Sequence, residues 1–414
     1  MSAHQQLQRR LGTFDATAIG LGSMLGAGVF VVFAPAAALA GQLLALSVVV
    51  AGAVAYCNAV ASAALAAKYP TSGGTYVYGR EQLGEWPGFL AGWGFVTGKT
   101  ASCAAMALTF GSYAWPGYAV PAAVAAVVVL TGVNLLGITR TALLTRILLG
   151  IVLATLAFVA LAAAVGPHPV SGPGGPAGGS SPGGVLPAAG LMFFAFAGYA
   201  RIATLGEEVK DPARAIPRAI LAALAAAFAI YLTMSLLLLN HLPGGQLAAT
   251  RTPLLDAVLE SRFQGGAVLV QVGAAAACLG ALLALITGVG RTTLAMARER
   301  DLPAPLAKVG GKHTVPYVAE LAVAAVVILL LLTTDVMTVV GFSSFGVLTY
   351  YAVANASAYT LAAHPGYAPR WLNAVGFAAC LLLAFTLPPA SVLTMVAVLA
   401  AGVAGRWLVL RLRH

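Results

Sequence analysis

Charge is the first thing this chain lacks. Only 8% of its 414 residues are charged while 60% are hydrophobic, where a soluble globular chain carries roughly a quarter charged. That scarcity excludes a soluble fold and predicts an all-α polytopic membrane protein, embedded in a lipid bilayer. Carboxylates are scarcer still, 12 Asp and Glu against 22 Lys and Arg, for a net charge of +10. In a soluble protein that excess would suggest nucleic acid. Here the basic residues, from Arg9 and Arg10 through Arg411 and Arg413, fall on one side of the predicted helices, and only Arg251 and Arg262 on the other. This is the positive-inside pattern. It predicts both termini in the cytoplasm and calls for no nucleic-acid partner.

Chemistry-bearing residues are equally sparse. The four cysteines (Cys57, Cys103, Cys278, Cys380) lie singly in apolar runs, with no CxxC pair, and are expected to be buried thiols. All six histidines map to loops, ends or termini, so no histidine relay crosses the membrane. The sequence contains no metal-ligand cluster, no GxxxxGK[ST] loop and no GxSxG elbow. It gives no support to an ATP-driven pump, a serine hydrolase or any other enzyme, and no cofactor or metal is expected.

What is abundant is apolar length. At about 20 residues per span, twelve spans are predicted: 15–38, 42–67, 87–115, 120–136, 142–165, 185–206, 215–241, 264–290, 315–334, 337–361, 371–388 and 390–409. The uncharged Gly/Pro/Ser-rich stretch 167–184 reads as an external linker. It divides a cytoplasmic N-terminus (1–14) and five spans (15–166) from five more (185–361). Two further spans and a cytoplasmic C-terminus (362–414) complete the chain.

Two spans are unusual. The first carries four glycines in nine residues, at 20, 22, 26 and 28. A glycine costs a helix roughly 1 kcal/mol against alanine. A helix broken at mid-depth exposes amide N–H groups and a dipole end that hold an anion such as a carboxylate. Small residues also serve close helix packing, and the stretch alone leaves both readings open. The sixth span reads Met192-Phe-Phe-Ala-Phe-Ala-Gly-Tyr-Ala-Arg201. It is interrupted at comparable depth five spans later, the arrangement expected of a binding site between inverted repeats. Packing is the better reading for Phe193, Phe194 or Phe196 singly; beside Gly198 the group becomes a candidate substrate wall.

Three other features complete the reading. Tyr69-Pro-Thr-Ser-Gly-Gly-Thr-Tyr-Val-Tyr78 is expected to be a non-helical turn region. Lys99 stands near mid-depth in the third span, where a charge costs at least about 2.5–3.5 kcal/mol, and is expected to face the bundle interior. It is a candidate for proton coupling or for bracing the broken helices, against a static structural role. The run Glu207-Glu-Val-Lys-Asp-Pro-Ala-Arg-Ala-Ile-Pro-Arg218 reads as a solvated cytoplasmic loop. Glu207, Glu208, Lys210, Asp211 and Arg218 in it are candidates for a cytoplasmic gate.

In order along the chain, several segments resemble the amino acid–polyamine–organocation superfamily. They are Gly22-Ser-Met-Leu-Gly-Ala-Gly-Val-Phe30, Pro70-Thr-Ser-Gly-Gly-Thr-Tyr-Val-Tyr78, Gly88-to-Trp93, Phe193-to-Gly198, Glu207-to-Pro212 with Ile216-Pro-Arg-Ala-Ile220, and Arg291 with Met296-to-Pro303. The resemblance implies a LeuT-type five-plus-five inverted repeat, with discontinuous helices 1 and 6 and two added helices. It further implies that the amides around Gly26, Ala27 and Gly28 hold a substrate carboxylate. The carbonyls of Phe194, Ala195 and Phe196 would take its α-ammonium, with the Phe194 ring as an outer lid. Ser23, Met24 and Gly198 complete the candidate set.

Two departures from the resemblance narrow the function. Gly198-Tyr199 is followed by Ala200 and Arg201 rather than by an acidic residue, which weighs against cationic amino acids or polyamines. Val152 occupies the place where several relatives carry a lysine, and Ala274 to Ala281 offers no Ser/Thr pair for sodium. The expected function is sodium-independent secondary transport of small-molecule substrates, neutral amino acids, with proton coupling and exchange both open. A non-transporting nutrient sensor or assembly partner is the alternative.

Overall fold

A chain this apolar has to close its backbone hydrogen bonds locally, and in the computed structural model it does so as helix nearly throughout. The structure describes residues 11–69, 74–136, 141–165, 181–203, 209–242, 244–310 and 315–411. The first apolar run forms three pieces, α1 (Thr13–Met24), α2 (Gly28–Val31) and α3 (Phe33–Ala40). The kink between α2 and α3 follows from Pro35, which has no N–H to give the carbonyl four residues back. α4 (Leu44–Lys68), α5 (Gly74–Leu83), α6 (Glu85–Ala114), α7 (Ala119–Leu135) and α8 (Thr141–Val165) follow. The second unusual run is again split, into α9 (Val185–Phe196) and α10 (Ala200–Ala203). Then come α11 (Pro212–His241), α12 (Gly244–Ala249), α13 (Pro253–Leu259) and α14 (Ala267–Arg298). α15 (Tyr317–Thr333), α16 (Val336–Tyr359), α17 (Arg370–Thr386) and α18 (Pro389–Arg411) close the order.

Among the described residues, nine helical stretches are long and apolar enough to cross a membrane, and α15 and α17 are shorter apolar helices. α6 is 30 residues long but is not one of the nine; its glycines, threonines and Lys99 dilute its hydropathy. Large apolar side chains such as Val129, Leu332 and Leu393 point outward, as a lipid-facing surface requires. Inside, small residues let helices touch. A Cβ on Gly346 of α16 would sit 2.6 Å from the Gly94 carbonyl oxygen and 3.1 Å from the Gly98 Cα of α6. Polar stitches are few and buried: the Asn355 amide donates to Asn58 Oδ1 at 2.6 Å, joining α16 to α4. The four cysteines are free and buried.

The structure corrects three expectations. The interval 69–78 is not all turn. α5 starts at Gly74, whose φ of 56° admits the bend, and the free Thr75 amide of its first turn donates to Tyr350 Oη at 3.0 Å. The charged run ends earlier than expected, because Pro212 opens α11, a first-turn position where its missing N–H costs nothing. α14 runs eight residues beyond the expected end at 290, to Arg298. Residues 137–140, 166–180 and 204–208 lie outside the described set.

The end of α14 builds the densest polar cluster. Arg300 takes a left-handed φ of 63°, and the Asp301 amide bonds back to Met296 O at 2.8 Å, a helix-terminating turn. The turn aims the Asp301 carboxylate inward. It accepts from Tyr76 Oη (2.8 Å) and Arg80 Nη1 (3.0 Å) of α5, and from Arg406 Nε of α18 (2.7 Å). Arg406 also reaches Glu85 at 3.0 Å and lies over the rings of Trp86 and Phe89. Removing one partner from a buried ion pair strands the other charge, at about 3–5 kcal/mol. Asp301→Ala is therefore expected to lower the melting temperature in detergent sharply, and adding Arg406→Met to recover part of the loss. A single variant that melts like the wild type would show that the cluster contributes nothing.

Candidate functional site

Both breaks expose backbone that the helix no longer pairs. Leu25, Gly26 and Ala27 are non-helical, and the Gly26 and Ala27 amides donate to no acceptor among the described residues. In the other break, Ala197–Tyr199 form one turn of 3₁₀ helix between α9 and α10. The orphaned carbonyls are claimed by tyrosines from neighbouring helices. Tyr231 of α11 places its hydroxyl 2.5 Å from Met24 O and 3.1 Å from Ala195 O, bridging the two breaks. Tyr113 donates to Phe30 O, Tyr351 to Ala197 O and Tyr78 to Ala203 O, each at 3.4 Å.

The breaks also touch each other. A Cβ on Gly198 would lie 2.5 Å from Met24 N and from the Ser23 carbonyl carbon, and one on Gly28 would lie 2.8 Å from Ala195 Cα. One on Gly26 would meet Ala281 Cβ at 2.5 Å. The close-packing reading of these glycines is thus met in full, alongside the free amides that the anion reading needs.

A cavity of about 410 Å³ adjoins the breaks. Of the candidate residues, Ser23, Met24, Gly28, Phe194, Ala195, Gly198 and Lys99 line it; Gly26, Ala27 and Phe196 do not. Phe193 and Phe196 are packing residues, set edge-on against Tyr351 and Tyr231. Val152 is buried away from the lining. The opposite wall is built by α6 and α14. Phe95, Lys99, Ser102 and Met106 follow helical spacing along α6, and Ala281, Ala284, Gly288, Arg291, Ala295 and Arg298 do so along α14. Sequence reasoning missed the α14 wall, although small residues recurring every three or four positions signalled it.

The ionisable groups among the lining residues are Lys99, Arg201, Arg291 and Arg298, all basic. Lys99 is 6% exposed and makes no hydrogen bond or ion pair among the described residues. The carbonyls it was a candidate to brace are held by the tyrosines. Of the gate candidates, Glu207 and Glu208 lie outside the described residues. Lys210, Asp211 and Arg218 form no ion pair among the described residues and do not line the cavity; the Lys210 amide donates to Leu11 O at 2.9 Å.

Tyr231 is the added residue that matters most here. Tyr231→Phe keeps the ring against Phe196 and strips the donor from two buried carbonyls, a loss of about 1–3 kcal/mol. A lower melting temperature in detergent is the expected outcome, and an unchanged one would mean that the breaks do not depend on this hydroxyl.

The amino acid permease family model matches residues 11–404. An uncharacterized transporter of Mycobacterium tuberculosis is 54% identical over 404 residues, covering 96% of this chain and 91% of that protein. The branched-chain amino acid permease BcaP of Bacillus subtilis is 32% identical over 350 residues, 77% of this chain and 73% of its own. The chloroplastic cationic amino acid transporter 7 of Arabidopsis thaliana is 27% identical over 400 residues, 89% of this chain and 68% of its own. A multi-pass helical chain matched along nearly its whole length in this way belongs to the amino acid permease family of the amino acid–polyamine–organocation superfamily.

Proposed function

We propose that the protein is a sodium-independent secondary transporter of neutral amino acids, working by alternating access across the cytoplasmic membrane. The observation that carries this reading is the cavity lying against both helix breaks. Twelve spans fit it, with α1–α3 and α9–α10 as the discontinuous helices 1 and 6 of a five-plus-five repeat (15–166 and 185–361). Residues 167–184 serve as external linker, and 362–414 supply two added helices. Both termini are cytoplasmic on this reading.

The substrate carboxylate faces the amide-rich stretch Ser23 to Gly28, where backbone N–H groups suit an anion. Its ammonium faces the carbonyl-rich end of α9 at Phe194 to Phe196, and the Phe194 ring closes the outer side. Beside its apolar side chains the described lining holds four basic ones and no carboxylate, which disfavours a cationic side chain. This weighs against the cationic substrates named for the Arabidopsis relative and agrees better with the branched-chain permease. Proton coupling and exchange are the two available driving modes.

Counterflow in proteoliposomes against the twenty amino acids tests the reading directly. Neutral amino acids are expected to exchange equally well in sodium and in choline medium. Binding without any flux would instead make the protein a sensor. Phe194→Ala is expected to cut flux about tenfold, equivalent to ~1.4 kcal/mol, at unchanged expression; wild-type flux in that variant would remove Phe194 from the gate.

A further inference from the structure

Lys99 is the group that an amino acid bound only at the helix breaks leaves unexplained. It is the fifteenth residue of the 30-residue α6, so roughly 21 Å of helix separates it from either end. That is too deep for its side chain to reach bulk water by snorkelling. It is 6% exposed, reaches the cavity, and has no hydrogen-bond or ion-pair partner among the described residues. Its neighbours on the same face are Phe95, Ser102 and Met106, and the Ser102 hydroxyl is already paired with Ser343 at 2.6 Å. An ammonium held this way has no hydrogen bond or ion pair among the described residues to offset its desolvation. What the surroundings lack is an anion, and the cavity is where one can enter. Arg291 and Arg298, exposed on α14 along the same cavity, add the positive field that draws one in.

We propose that Lys99 is the seat of a second anion site in the cavity, separate from the backbone amides of the α1 break. A carboxylate fits it by chemistry, supplying both the opposite charge and the acceptor oxygens that shorten and strengthen such bonds. The anion comes from one of two sources: the side chain of an acidic amino acid, or a small free anion entering with a neutral one. The inference rests on the amino acid reading above, and extends its substrate range to side chains of negative charge.

Isosteric pairs test it, because glutamate and glutamine, or aspartate and asparagine, differ in charge at nearly constant shape. Each is used to compete for uptake into proteoliposomes, in chloride and in gluconate buffer. If the side chain is the source, the acid outcompetes its amide by about tenfold or more. If a free anion is the source, uptake of a neutral amino acid falls when gluconate replaces chloride. In either case Lys99→Met erases the effect and Lys99→Arg retains it. Equal competition by acid and amide with no chloride dependence overturns the site, and so does a preference that survives in Lys99→Met. The wild-type comparison alone decides if that variant does not fold. A parallel melting assay with chloride and acetate separates the two readings. Loss of all amino acid uptake with an anion-induced shift retained in the wild type and lost in Lys99→Met removes the amino acid reading and keeps the site. Absence of both the shift and the acid preference removes the site.

Discussion

Everything distinctive in this molecule follows from one constraint: inside a membrane, a peptide group that leaves its helix must find another partner. Lipid cannot serve there, so a break has to be answered by other parts of the bundle or by a cavity that admits water. The answer is a set of tyrosines. Tyr231 serves the end of α1 and the end of α9, while Tyr113, Tyr351 and Tyr78 serve α2, the 3₁₀ turn and α10. Tyrosine suits the task because its ring packs as a hydrophobe and its hydroxyl donates. The carbonyls of Met24, Phe30, Ala195, Ala197 and Ala203 thereby gain a donor, while the Gly26 and Ala27 amides are left without an acceptor among the described residues.

The same accounting explains the electrostatics of the cavity. Carboxylates are rare in the chain, and several of them, Asp301, Glu85 and Glu299, are committed to Arg80 and Arg406 around the end of α14. Asp15 is paired with Arg146. The described wall of the cavity is left with basic groups only, and Lys99 among them has no counter-charge of its own.

Much of the fold was legible because lipid enforces a simple grammar. Apolar length gave most long helices to within a few residues; glycine density located the first break, and small residues around Gly198, five spans on, located the second. The depth of Lys99 could be counted along its span. The misses have physical causes. α5 is short and its residues are on balance polar, so it carries no hydropathy signal, and Pro70 and the glycines before it read as a turn. α14 outruns its apolar stretch because helix propensity, unlike hydropathy, continues through Thr292 to Ala297. The tyrosine partners could not be found from sequence. Tyr231 and Met24 are 207 positions apart, and nothing local to either records that they meet. Of the gate candidates of 207–218, Glu207 and Glu208 lie outside the described residues, and Lys210, Asp211 and Arg218 form no ion pair among the described ones.

The mutual contact of the two breaks has a mechanical consequence. Gly198 rests on the backbone of Ser23 and Met24, Gly28 rests on Ala195, and Tyr231 offers one proton to acceptors on both. Nothing compressible separates them, so a shift of one break would have to carry the other, and Ala281 of α14, packed against Gly26, with it. Across the cavity, α6 and α14 present side chains rather than backbone. A molecule seated in the cavity would meet the backbone of the paired breaks at one end and the side chains of α6 and α14 at the other. Any rearrangement of the breaks that such a molecule favoured would be limited to the difference in its fit between the two arrangements.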